Sequence, residues 1–123
     1  MTVKSYSFDQ TEILEGILLL CGIDRFDMDM SYGNGSFYKK IPEPKIKMDI
    51  SPQRDGVICA CSTNTGIDSE TIGSAVFDPP FLTYVKNTRE HNSVMAKRFG
   101  GYWRYNELEA HYKDTLKEAA RIL

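Results

Sequence analysis

The sequence predicts one α/β domain: a mostly parallel sheet with helices on both faces. Three observations carry that prediction. Four short apolar, β-prone segments (25–30, 45–50, 57–61 and 74–77) are separated by helical pieces or long polar connections, as expected of strands that all run the same way. Helical periodicity stands before the first segment and after the last. Three distinctive features, Gly33 with Gly35, Asp49, and Asp78-Pro79-Pro80-Phe81, each follow a different strand. A parallel sheet would bring all three to its carboxyl edge, where ligands of open α/β sheets sit.

Length and composition fit this reading. A chain of 123 residues makes one domain, 1–123, and 41% apolar with 26% charged residues is the make-up of a folded globule rather than a disordered chain. No apolar run approaches the ~20 residues of a membrane span, and the N-terminus lacks a signal-peptide pattern. Cys21, Cys59 and Cys61 are odd in number and sit in or beside apolar segments. They read as buried free thiols of a cytoplasmic protein. The net charge of −2 is no overall basic footprint for nucleic acid, but it is uneven. Residues 1–85 carry 7 basic and 12 acidic side chains, whereas residues 86–123 carry 8 and 5, so DNA would approach the side bearing the later residues.

Taken in order, residues 1–8 read as an arm. Asp9 is placed to cap a first helix, with Glu12 as its capping-box partner and Ile13, Leu14, Ile17, Leu18 and Leu20 as the inward face. Gly22 ends it. In 25–30, Phe26, Met28 and Met30 alternate with acids and predict a strand that enters a Gly33-Asn34-Gly35 turn. Such a turn lets backbone pass close to a bound nucleotide, although a lone Gly-x-Gly is also simply a tight turn. A short helical piece over 37–41 is cut off by Pro42 and Pro44. The next strand, 45–50, closes on Asp49, the position that hydrogen-bonds ribose hydroxyls in nucleotide-binding sheets. Segment 57–61 is a small apolar strand, 62–73 a polar connection, and 74–77 a buried strand that the double proline must stop.

Beyond Phe81 the periodicity dissolves. Residues 82–104 interleave Lys86, Arg89, Lys97 and Arg98 with Tyr84, Phe99, Tyr102 and Trp103 around Gly100-Gly101. They read as a mobile loop able to clamp nucleic acid through phosphate contacts and base stacking, or as a packed surface excursion. Asn106 is placed to cap a last helix whose stripe Leu108, Tyr112, Leu116, Ala119 and Leu123 predicts the core face. His91 and His111 lack acids at ligand spacing, so no metal site is expected.

Asp78-Pro79-Pro80-Phe81 resembles the catalytic tetrapeptide of the amino-methyltransferases that modify adenine N6 or cytosine N4 in DNA. With the stretches Asp29-Met30-Ser31-Tyr32-Gly33-Asn34-Gly35-Ser36-Phe37-Tyr38, Lys47-Met48-Asp49-Ile50 and Val76 through Leu82, the chain is similar to a phage and prophage group of DNA methylase-like proteins, in the gamma order of motifs. That resemblance implies a Rossmann-like class I methyltransferase fold and S-adenosylmethionine as cofactor. It also implies roles. Gly33 and Gly35, with Asp29, Ser31 and Tyr32 around them, would border the methionine part and Asp49 the ribose. Asp78 and the Pro79 carbonyl would accept hydrogen bonds from the exocyclic amine, Pro80 would stiffen the turn, and Phe81 would stack on the flipped base.

Three departures from the family pattern stand in the sequence. Ser31 fills the phenylalanine slot of the usual Phe-x-Gly-x-Gly motif, with Tyr32 next to it. The acid that commonly follows the third strand is missing, and Cys61, Ser62 and Asn64 are the nearest candidates for the adenine contact. The chain stops at Leu123, where the family continues into a fifth strand. It therefore reads as an incomplete fold: a shortened copy of a longer enzyme, or a remnant that pairs with its own kind to cover an exposed edge. The expected function is methyl transfer to the exocyclic amine of a DNA base, adenine N6 ahead of cytosine N4. Two alternatives stay open: an inactive module that binds cofactor or DNA, or an enzyme of the same fold acting on RNA, protein or a small amine.

Overall fold

A computed structural model describes residues 2–79 and 105–123. Residues 80–104, which include Pro80, Phe81 and the basic-aromatic stretch, lie outside the described residues. The elements run α1 (Gln10–Cys21), β1 (Met28–Asp29), a 3-10 turn (Ser36–Tyr38), β2 (Ile46–Asp49), β3 (Ile58–Cys59), β4 (Ala75–Val76) and α2 (Tyr105–Ile122). The strands form one sheet in the order β3-β2-β1-β4, and every pair is parallel. The register sets Asp29 beside Lys47 on one side and Val76 on the other, and Asp49 beside Cys59. The expected α/β architecture is present, with ladders shorter than the apolar runs that announced them.

Two apolar clusters cover the sheet. Leu14 and Leu18 of α1 pack with Phe26, Tyr32, Tyr38 and Ile41, and Val76 borders them. Ile122 of α2 packs with Met28, Met30, Met48 and Ile72, and Ala75 and Phe77 border that group. Successive side chains of a strand point to opposite faces, so the split of Ala75, Val76 and Phe77 between the clusters puts one helix on each face. Ile122, Met28 and Met48 are fully buried. Ile122→Val is expected to cost about 0.5–1.5 kcal/mol, read as a lower urea midpoint at unchanged slope.

Each helix buries part of the expected face, Leu14 and Leu18 on α1 and Leu108 with Ala119 on α2, and turns the rest of it outward. On α1, Thr11, Leu14, Gly16 and Leu18 are buried, whereas Ile17 and Leu20 are 40% and 72% exposed. Gly16 lies under Val3 of the arm, so the arm and the sheet together select the 11/14/18 line. On α2 the buried residues are Leu108, Thr115, Glu118 and Ile122, while Leu116 and Leu123 face solvent. Thr115 and Glu118 go inward because each finds a partner there. Thr115 Oγ1 meets Ser62 Oγ at 2.7 Å, and Glu118 accepts from the Thr65 amide at 3.2 Å and hydroxyl at 2.8 Å. Arg121 and these Thr65 bonds hold the Glu118 carboxyl far below the ordinary range, at about 2. Arg121 also reaches Ser69 and the Ile67 carbonyl, and the amides of Glu70, Thr71 and Ile72 donate to the last carbonyls of α2. The polar connection 62–73 thus closes the C-terminal end of that helix, whose final carbonyls need partners from outside.

Four smaller expectations are corrected. Asp9 caps α1 through the Thr11 amide, but its own N–H is met by Ser7 Oγ. Glu12, which a capping box would turn back to that N–H, instead binds Ser7 and Lys4. Asn106 lies inside α2, which already includes Tyr105. The cysteines are free as expected but not buried: Cys21, at the end of α1, is exposed, and Cys59 is exposed and Cys61 intermediate because β3 is an edge strand. β4 is the other edge, and its residues are half-buried rather than buried.

Candidate active-site edge

Parallel pairing brings the ends of β1, β2 and β4 to one edge, and hydrogen bonds then join the segments that follow them. Asp49, the last residue of β2, accepts from the Gly33 amide at 2.8 Å through Oδ2 and from the Ser51 amide at 2.8 Å through Oδ1. Asp29, the last residue of β1, accepts from the Ser31 amide at 2.8 Å, from Ser31 Oγ at 3.2 Å, and from the Tyr38 hydroxyl. The Asp78 amide, two residues past β4, donates to Ser31 Oγ at 2.7 Å. Six of the expected site residues (Asp29, Ser31, Gly33, Asp49, Asp78 and, through its chain neighbour, Pro79) therefore meet at this edge.

The turn after β1 takes its shape from its glycines. Gly33 and Gly35 adopt φ of 61° and 77°, the left-handed region that costs other residues strain. A side chain at Gly35 would also run into the Tyr32 hydroxyl, close to Arg54. Tyr32 itself is buried: its ring stacks on Tyr38 with centroids 5.6 Å apart and planes 7° apart, and its hydroxyl donates to Glu43 at 2.6 Å. Lys47 Nζ lies 5.6 Å from the centre of the same ring. Burial raises the pKa of Tyr32, with Glu43 adding to it, and raises that of Tyr38 well above the tyrosine range, with the Asp29 charge adding to it.

Asp29 is the electrostatic centre of the edge. It is 1% exposed, and burial pushes its carboxyl from an ordinary 3.8 up to about 6. Bonds from Tyr38 and Ser31 oppose that rise, and the nearby Asp78 charge adds to it.

Cys61 stands apart. It lies beyond β3, where its Sγ meets Thr63 Oγ1 at 3.1 Å. Ser62, the neighbouring candidate, is turned toward α2 and lies 3.4 Å from His111 Nε2. Tyr38 and Glu43 were not foreseen. Tyr38 is nine residues past Asp29, and only the 3-10 turn folding back under the sheet edge brings its hydroxyl to that acid. Its one sequence signal is an aromatic pair, Phe37-Tyr38, enclosed between a glycine turn and a proline. Among the described residues no group of three His, Cys, Asp or Glu is arranged to hold a metal, and no helix is long and apolar enough to cross a membrane. Comparisons with protein-family models, with curated proteins and with solved structures find no match.

Proposed function

We propose that the chain is a cytoplasmic class I methyltransferase domain, of the phage and prophage DNA amino-methyltransferase type, that uses S-adenosylmethionine to methylate the exocyclic amine of a DNA base, adenine N6 ahead of cytosine N4. The observation that supports it most is the joining of three post-strand segments at one sheet edge, through Asp49 to Gly33 and Asp78 to Ser31. The donor set suits the cofactor. S-adenosylmethionine is cationic at its sulfonium and ammonium and carries no phosphate, and this edge offers carboxylates and turn amides. Gly33 and Gly35 would border its methionine part and Asp49 its ribose.

When bound, the cofactor supplies an electrophilic methyl group. The protein's share is positioning. The Asp78 carboxylate and Pro79 carbonyl accept the two amine hydrogens, aiming the nitrogen lone pair, and Asp78 receives the proton the amine gives up. Phe81 stacks on the base, which must leave the duplex because the amine lies inside the stack. The basic excess of residues 86–123 supplies phosphate contacts.

Calorimetric titration with S-adenosylmethionine tests the site. Saturable binding is expected for the native chain, weakened at least about tenfold (1.4 kcal/mol) in Asp49→Ala and less in Asp49→Asn, which keeps an acceptor for Gly33. No binding to a folded sample would remove the cofactor reading. One observation favours an inactive module instead: Asp49 is 4% exposed and both its oxygens already serve the chain's own amides. Cofactor binding without transfer to any DNA would establish that second reading. Transfer to RNA, protein or a small amine but not DNA would redirect the substrate.

A further inference from the structure

We propose that Ser31 is the positioning residue for Asp78: its hydroxyl ties the Asp78 backbone to the buried Asp29 carboxylate, so that the turns after β1 and β4 hold together as one unit. The proposal rests on the reading of Asp78 as the group that meets the substrate amine.

The β1–β4 ladder shows why a tie is needed at this point. Its backbone bonds run from the Met28 amide to the Ser74 carbonyl at 3.1 Å and from the Met30 amide to the Val76 carbonyl at 2.9 Å. The next donor along the edge, the Asp78 amide, is met by a side chain instead, Ser31 Oγ at 2.7 Å. A serine hydroxyl has one proton to give and lone pairs to accept with. Here the proton goes to Asp29 Oδ1 at 3.2 Å and a lone pair takes the Asp78 N–H. Asp29 cannot drift, because the Ser31 amide and the Tyr38 hydroxyl hold its two oxygens and Tyr38 is stacked in the core. On its other side Asp78 follows Phe77, which borders the α2 cluster with its ring centroid 6.1 Å from that of His111. The Asp78 backbone is therefore held along the chain by Phe77 and laterally by Ser31.

The phenylalanine that the resembling motif places at this position has no hydroxyl and could make neither bond. The departure at Ser31 thus supplies a support of its own. Misplacing a reacting group by about 1 Å can cost roughly a hundredfold in rate, so a residue that never touches substrate can matter.

The test compares native protein, Ser31→Ala and Ser31→Thr by amide hydrogen exchange and by methyl-transfer kinetics. In Ser31→Ala the Asp78 amide is expected to exchange up to about tenfold faster, the size of one lost hydrogen bond. The kcat should fall about 10- to 100-fold while KM stays nearly constant. Ser31→Thr, which keeps the hydroxyl, restores both. Unchanged exchange in Ser31→Ala, or a threonine variant that behaves like alanine, would overturn the proposal. So would an Asp78 amide that exchanges in the native protein as fast as in an unstructured peptide, a readout independent of whether any variant folds. If the exchange pattern holds but no variant transfers a methyl group, the tie stands and the methyltransferase reading fails.

Discussion

Asp78→Ala is expected to lower methyl transfer to DNA by about 10²–10³-fold, the loss typical of removing one preorganised hydrogen-bonding group from a reacting centre. S-adenosylmethionine affinity should stay essentially unchanged. The reason for the split is geometric. The substitution removes the carboxylate but keeps the backbone N–H that Ser31 binds, so the turn after β4 retains its tie. The Gly33–Asp49 bond, on the side proposed for the cofactor, lies on different segments and is untouched. Asp78→Asn should fall between, because its amide oxygen can still accept one amine hydrogen but carries no charge to take the proton. Single-turnover transfer to unmethylated duplex, alongside calorimetry of the cofactor, measures both quantities. Joint loss of binding and transfer would mean that Asp78 supports the fold of the edge rather than the chemistry.

Asp29→Asn is expected to change the pH dependence of stability by an amount on the order of 3 kcal/mol, because each pH unit that separates folded and unfolded pKa values is about 1.4 kcal/mol. Burial raises the folded pKa of Asp29 from 3.8 to about 6. The folded state therefore holds the proton more tightly than the unfolded chain does. The resulting stabilisation is fully present below pH 3.8 and is lost as pH rises through about 6. Asparagine does not titrate, can accept from the Ser31 amide and can donate to the Tyr38 oxygen, so it removes this slope. Relative to native protein, the variant should gain stability as pH rises from 4 to about 6 and level off toward pH 7. Glu118 runs the other way: its depressed carboxyl contributes stability above 4.5 that is lost as pH falls toward about 2. Both proteins share it, so the difference between their urea curves at pH 4, 5, 6 and 7 isolates Asp29. Parallel curves across that range would show that Asp29 ionises as a solvated acid does. A buried carboxylate that weakens the neutral-pH fold is the kind of cost found at functional sites.

The sequence by itself determined the order and direction of the elements and the edge on which the candidate site lies. Alternation around Met28 and Met48, Gly22 at the end of α1, and crossovers too long for hairpins are local signals, and local propensity reads them without knowing the fold. Gly33, Asp49 and Asp78 were legible for a related reason: each follows a strand, and parallel strands end together. Tertiary structure decided what periodicity could not. Whether Thr115 and Glu118 or Leu116 and Leu123 face inward depends on whether Ser62 and Thr65, more than fifty residues earlier, stand ready to bond them. A polar side chain is buried only where its partner is already in place. The same holds for the Tyr38–Asp29–Ser31–Asp78 chain. Its members are scattered over 50 positions of sequence, and only the pairing of β1 with β4 and the fold-back of the 3-10 turn set their oxygens and amides within bonding distance.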